Sequence, residues 1–172
     1  IVFGDWSSDV CSSDLQILIP KPQAEPLLKA ITKYRPTFSP LVPTMYVGLI
    51  SHPGLKKTDV KCMKGAFSGS APLPVEVIRE FETATGAVIV EGFGMTETSP
   101  VTHINPFAGG TRKVGSVGVP ISDTLARIVD IEEGTQEMPV GESGELVIKG
   151  PQVMQGRSEE RRVGKECRSR VS

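Results

Sequence analysis

The sequence predicts an α/β fold: part of a parallel α/β sheet subdomain followed by part of a small antiparallel β subdomain. Three observations carry this. Apolar helical faces alternate with short apolar runs from Gln16 to about Asn105; a Gly-rich turn follows the buried-type run Ala87–Val90; beyond Pro106, short strands separated by turn residues replace the helices.

Gln16–Ile19 reads as a short strand, and Gln23–Lys33 places Leu27, Leu28 and Ile31 on one helical face, with Pro26 tolerated in the first turn. Thr37–Leu41 is a second strand. Pro43 opens a helix through about Ile50, carrying Met45, Leu49 and Ile50, and His52-Pro53-Gly54 ends it. Cys62–Ser68 is strand-like; Pro74 starts a helix with Val77, Ile78 and Phe81 inward, stopped by Gly86; Ala87–Val90 is a buried strand. After Pro106, strands are expected at Gly115–Val119, Leu125–Asp130 and Glu145–Lys149, with turns at Glu132-Glu133-Gly134 and Pro139–Glu142. The composition shift near Asn105–Thr111 is the expected internal boundary.

A net charge of −1 calls for no polyanionic partner, so nucleic acid is not expected. Of the three cysteines only Cys62 lies in the body of the sequence, which leaves no disulfide framework and fits a reducing compartment. No stretch approaches the ~20 apolar residues of a membrane span. A cytoplasmic location is expected, with room for peripheral attachment at the membrane face.

The chemistry concentrates in Glu91-Gly92-Phe93-Gly94-Met95-Thr96-Glu97-Thr98-Ser99-Pro100. Gly92 and Gly94 let the backbone approach a ligand closely. Phe93 offers a flat face on which a base stacks for about 1–3 kcal/mol. Thr96 can donate to a phosphate oxygen, and Glu97 supplies the hard anionic oxygen that Mg²⁺ prefers when shared with substrate phosphates. A plain Gly-rich turn with Thr96 or Thr98 as a cap accounts for the composition equally well.

As a block, the motif resembles the signature of the adenylate-forming (AMP-binding) superfamily of acyl-CoA synthetases, peptide-synthetase adenylation domains and luciferases. Three further blocks resemble family stretches in the same order: Ser68–Pro74, Val114–Pro120 and Gly144–Pro151. The resemblance covers about Gln16 to Gly156 and is strongest to long-chain fatty acid CoA ligases, through Ser99-Pro100-Val101, Asn105-Pro106 and Gly150–Gly156. It implies ATP/AMP and Mg²⁺ as cofactors, and a fatty acid and coenzyme A as co-substrates. The acid would be activated as acyl adenylate and passed to coenzyme A. By the same resemblance, Gly69, Ser70, Ala71 and Pro72 edge the adenine; Glu91, Gly92, Phe93, Gly94 and Met95 line the nucleotide; Thr96 contacts the α-phosphate and Glu97 holds the metal. Thr96 and Glu97 are the catalytic candidates. Thr44, Met45 and Tyr46 would lie beside the acyl pocket, although core packing explains them as well.

The ends depart from this pattern. Arg157–Arg170, RSEERRVGKECRSR, and Asp5–Leu15, DWSSDVCSSDL, match translations of common sequencing-library adapters. The expected division is therefore 1–15 adapter-derived, 16–106 α/β portion, 107–156 β-rich portion and 157–172 adapter-derived. Both ends should stay unpacked against the core. The family's phosphate loop, ribose-binding aspartate and catalytic lysine are not in the sequence, so the chain as written is expected to be inactive. Other readings are a medium-chain, aryl or other acyl ligase, and a non-catalytic nucleotide or acyl binding module.

Several residues invite a more ordinary reading. Gly109–Lys113 imitates a phosphate loop without its spacing and reads as a solvated connection. His103 reads as a structural loop histidine, His52 as surface, Cys62 as core rather than nucleophile, and Glu145 as a solvated edge carboxylate.

Overall fold

The structure is a computed structural model that describes residues 15–157, together with the backbone of Val2–Phe3. Its elements in order are β1 (Val2–Phe3), β2 (Ile17–Leu18), α1 (Ala24–Tyr34), β3 (Phe38–Leu41), α2 (Pro43–Ile50), β4 (Gly65–Ser68) and α3 (Val75–Thr85). They continue with β5 (Val88–Gly94), β6 (Val101–Ile104), β7 (Val119–Pro120), β8 (Leu125–Val129) and β9 (Glu145–Lys149). A five-stranded sheet runs β3-β4-β5-β6-β7, with β3, β4 and β5 mutually parallel; β8 and β9 form an antiparallel pair. The expected α/β class, parallel then antiparallel, is the one found.

The helices form where apolar spacing and caps agree. α1 buries Leu27, Leu28 and Ile31, and Pro26 sits in its first turn, where no intrahelical bond is lost. Pro43 opens α2 at a first-turn position. α3 buries Ile78 and Phe81, and Gly86 ends it at φ 77° with its N–H on the Glu82 carbonyl. The core joins α1, α2 and α3 to the sheet: Tyr46 stands edge-on to Phe81 at 4.9 Å, both fully buried among Leu27, Ile31, Leu49, Ile78 and Ile89. Pro40 is tolerated in β3 because that strand is a sheet edge.

The chain divides into two compact units. One takes the chain up to Phe93 together with His103–Val119; the other takes Gly94–Thr102 together with the chain from Pro120 onward.

Several expectations need correction. β5 runs on through Glu91–Gly94, so the first four residues of the motif are strand rather than loop. The expected strand at Gly115–Val119 is a pair of turns, with Gly115 at φ 80° and Gly118 at φ 89°; only Val119–Pro120 is extended. Val101–Ile104 forms a strand that the polar residues Thr102 and His103 concealed. Cys62 lies in a turn before β4, half-buried, with burial raising its thiol pKa. His52 is half-buried and accepts the Gly54 N–H at Nδ1. Glu145 is half-buried. Residues expected to stay apart at the start include Val2–Phe3, which pair antiparallel with Ile17–Leu18; the remainder of 1–14, and 158–172, lie outside the described residues.

Candidate functional site

Two segments of the first unit meet at one end of the parallel sheet. Strand register aligns Ser68 of β4 with Glu91 of β5, so the Gly69–Pro72 loop leaves β4 beside the stretch Glu91–Phe93. This is the carboxyl end of parallel strands, where open α/β sheets place ligands. The loop is anchored by buried Leu73, while Ser70, Ala71 and Pro72 are exposed. Ser70 adopts φ 72°, a left-handed conformation unusual for a residue with a side chain, which turns the loop sharply.

Gly92 is required by contact. A Cβ there would run into the Phe67 ring and lie 3.0 Å from the His103 carbonyl. Phe67 also lies against Gly69, so one aromatic ring backs both glycine stretches. Phe93 is half-buried, its ring 6.3 Å from that of His103. Burial holds the His103 pKa below its usual value, so the imidazole is neutral at pH 7. Glu91 accepts the Gly115 N–H at 2.9 Å. Pro40, Leu41, Val42, Met45, Phe67, Gly69 and Ser70 line a cavity of about 200 Å³ beside the loop.

The rest of the motif belongs to the second unit and is a tight 3₁₀ turn, Thr96–Thr98. A Cβ on Gly94 would collide with the Pro100 carbonyl, so the turn closes only around glycine. Buried Thr98 holds the turn: its hydroxyl accepts the Met95 N–H at 2.9 Å and donates to the Pro100 carbonyl at 2.8 Å. Thr96 is exposed, and among the described residues none engages its hydroxyl. Glu97 is half-buried; its Oε1 takes the Arg157 guanidinium at 2.8 Å, and its carbonyl accepts the Met154 N–H. The Glu97–Arg157 pair is largely exposed, a kind worth at most about 1 kcal/mol.

Among the described residues no three His, Cys, Asp or Glu gather as a metal cage. One carboxylate suits Mg²⁺ nonetheless, since that ion keeps several waters and shares phosphate oxygens with one or two carboxylates.

The residues that sequence reasoning passed over are structural partners of the motif. Glu82 pairs with Arg112, and both engage Ile89 of β5. Asn105, buried, bonds Lys113 and Ser116 across the connection after β6. Arg112 therefore does not belong to a solvated connection, although Gly109 and Gly110 beside it are exposed. Its Arg-Lys flank looked like solvated charge, and only a contact 30 residues away shows otherwise.

The motif is thus shared between a sheet end of the first unit, with its glycine backbone and half-buried Phe93, and the Thr96–Thr98 turn of the second. The model of the AMP-binding enzyme family matches residues 13–156, and the chain belongs to that family. It is 49% identical over 140 residues to a long-chain-fatty-acid–CoA ligase of Bacillus subtilis, covering 81% of this chain and 25% of that protein. The structure of ATP-bound MatB from Rhodopseudomonas palustris superposes with a TM-score of 0.73 at 38% identity, covering 81% of this chain and 27% of that one. The anthranilate CoA ligase AuaEII in complex with anthranoyl-AMP gives 0.74 at 26% identity, over 80% of this chain and 26% of its own. The chain thus spans about a quarter of the length of the relatives it matches. Among the described residues no helix is long and apolar enough to cross a membrane.

Proposed function

We propose that these residues are part of an ATP-dependent acid–thiol ligase that activates a long-chain fatty acid as its acyl adenylate and transfers the acyl group to coenzyme A. The observation that carries this reading is the glycine-constrained segment Gly92–Glu97 at the carboxyl end of β5, in a chain of the AMP-binding family. Because the chain spans a quarter of its relatives, the reaction is assigned to the longer polypeptide. The division into 16–106 and 107–156, flanked by adapter-derived ends, belongs to the same reading.

In the first half-reaction the acid's carboxylate attacks the α-phosphorus of ATP and pyrophosphate leaves; in the second, the coenzyme A thiol displaces AMP. Substitution at phosphorus needs positioning and charge neutralisation more than covalent help from the protein. The backbone of Gly69, Ser70, Ala71 and Pro72 edges the adenine, and Glu91, Gly92 and Phe93 form its wall. Gly94 and Met95 carry the chain into the turn, where the exposed Thr96 hydroxyl donates to the α-phosphate. Glu97 would hold Mg²⁺, which supplies charge neutralisation at the phosphates. The exposed cavity beside Met45 and Ser70 suits the acid's passage toward the nucleotide. An aryl acid is the second reading, favoured by the likeness to the anthranilate ligase.

The test is Glu97→Gln in the full-length ligase, with the half-reactions measured separately. Pyrophosphate release should fall about 10²–10³-fold, the usual loss for one preorganised electrostatic contact. Thioester formation from supplied acyl adenylate should change little, since pyrophosphate and its metal are no longer involved. Equal losses in both halves would remove Glu97 as metal ligand.

A further inference from the structure

Parallel strands use alternate residues to bond alternate neighbours. Val88 donates its N–H to the Lys64 carbonyl on the β4 side, so Ile89 turns its N–H and C=O to the other side, as Glu91 does. Glu91 has a partner there, because Asn105 donates to its carbonyl at 2.9 Å. Among the described residues no strand lies beside Ile89 on that side, since β6 ends at Ile104 and Asn105 already stands opposite Glu91. Two charged side chains take the strand's place. Glu82 of α3 accepts the Ile89 N–H at 2.8 Å, and Arg112 donates to the Ile89 carbonyl at 2.5 Å. The guanidinium also grips Glu82 with both nitrogens, Nη1 on Oε1 at 2.5 Å and Nη2 on Oε2 at 3.1 Å, and each side chain is only 24% exposed. Arg suits the place because its planar fork serves a carboxylate and a carbonyl together.

The same connection is pinned twice more. The Asn105 amide donates to the carbonyls of Lys113 and Ser116 and accepts the Lys113 N–H, and the Glu91 carboxylate takes the Gly115 N–H. All three fastenings converge on β5 just before or at Glu91–Phe93.

We propose that Glu82 and Arg112 are positioning residues: a side-chain clamp that completes the sheet at Ile89 and so fixes Glu91–Phe93 as the nucleotide wall. This rests on the ligase reading. Neither residue need touch the nucleotide; they act through the backbone of β5.

The experiment compares Arg112→Met, Glu82→Leu, the double variant and Arg112→Lys in the full-length ligase. Peptide-resolved amide hydrogen exchange over residues 86–95 reads the clamp directly. ATP and acid kinetics, with thermal melting, read its consequence. Each single variant should speed exchange over 86–95 and raise the KM for ATP about tenfold, within the range that small misplacements cost. The KM for the acid should stay within about twofold, because its cavity lies on the β3–β4 side. Arg112→Lys should fall between. The double variant, which leaves no unpaired buried charge, should regain much of the melting temperature but not the KM for ATP. Unchanged exchange over 86–95 would overturn the proposal, as would KM values for ATP and acid that rise together in proportion to lost stability. If the unmodified enzyme releases no pyrophosphate with ATP and any acid, the ligase reading fails, and exchange alone then decides whether the clamp exists.

Discussion

Thr96 and Thr98 lie two positions apart in one turn yet have opposite fates. Thr98 is spent on closing the turn, while Thr96 is exposed and no described residue engages its hydroxyl. Asp130 resembles Thr98. Its Oδ1 accepts the N–H groups of Glu133 and Gly134 and its Oδ2 those of Thr135 and Gln136, which lowers its pKa to about 2. A carboxyl depressed on folding contributes stability that is present above its unfolded pKa of about 3.9 and is lost as pH falls through about 2. The Gly134 amide should therefore titrate by NMR with a midpoint near pH 2 and stay flat from pH 4 to 6. A midpoint near 4 would show that the four bonds do not hold the turn in solution.

At the scale of elements, α3 and β5 are joined by Gly86 and Ala87, and the conformation of the glycine decides the junction. Gly86 has φ 77° with open space where a Cβ would stand, so a side chain there meets only the backbone cost of the left-handed region. Gly86→Ala should lower stability by about 1 kcal/mol, and Gly86→Asn by less, measured by urea unfolding. An alanine variant as stable as the parent would mean that the junction has shifted. Element identities were legible where spacing was unambiguous: α1, α2 and α3 lie within about a residue of their expected bounds, because each has a buried apolar face and a Pro or Gly at an end. β6 was hidden because Thr102 and His103 are polar, yet both are buried, as a strand between two neighbours requires. The turns at Gly115 and Gly118 read as strand because their neighbouring valines alternate; Gly118 packs too closely on the Ile104 carbonyl for any Cβ.

For the molecule as a whole, membership of the AMP-binding family constrains the nucleotide side more closely than the acid side. The relatives include a ligase named for long-chain fatty acids and one named for anthranilate. If the acid is a long aliphatic chain, each buried methylene adds about 0.8 kcal/mol, close to fourfold in affinity, until the pocket is filled. A series of saturated acids assayed on the full-length enzyme should therefore show kcat/KM rising from about C6 upward. A steady fall with length, or a preference for benzoate-like acids, would favour the aryl reading.

The sequence by itself determined the α/β class, the three helices and the two strands β8 and β9, because those follow from local periodicity, caps and turn residues. It also singled out Gly92, Phe93, Gly94, Thr96 and Glu97, whose types suit a nucleotide and a plain Gly-rich turn equally, so that only the resemblance to the adenylate-forming superfamily favoured the nucleotide. Tertiary structure alone decided that Glu91–Gly94 continue a strand, that Thr98 rather than Thr96 secures the turn, and that Arg112 reaches Glu82 and Ile89. Those outcomes depend on partners distant in sequence: the strand gains its extra residues from neighbours on the sheet, and Glu82 and Arg112 meet at the backbone groups of Ile89 only once folding has brought them there.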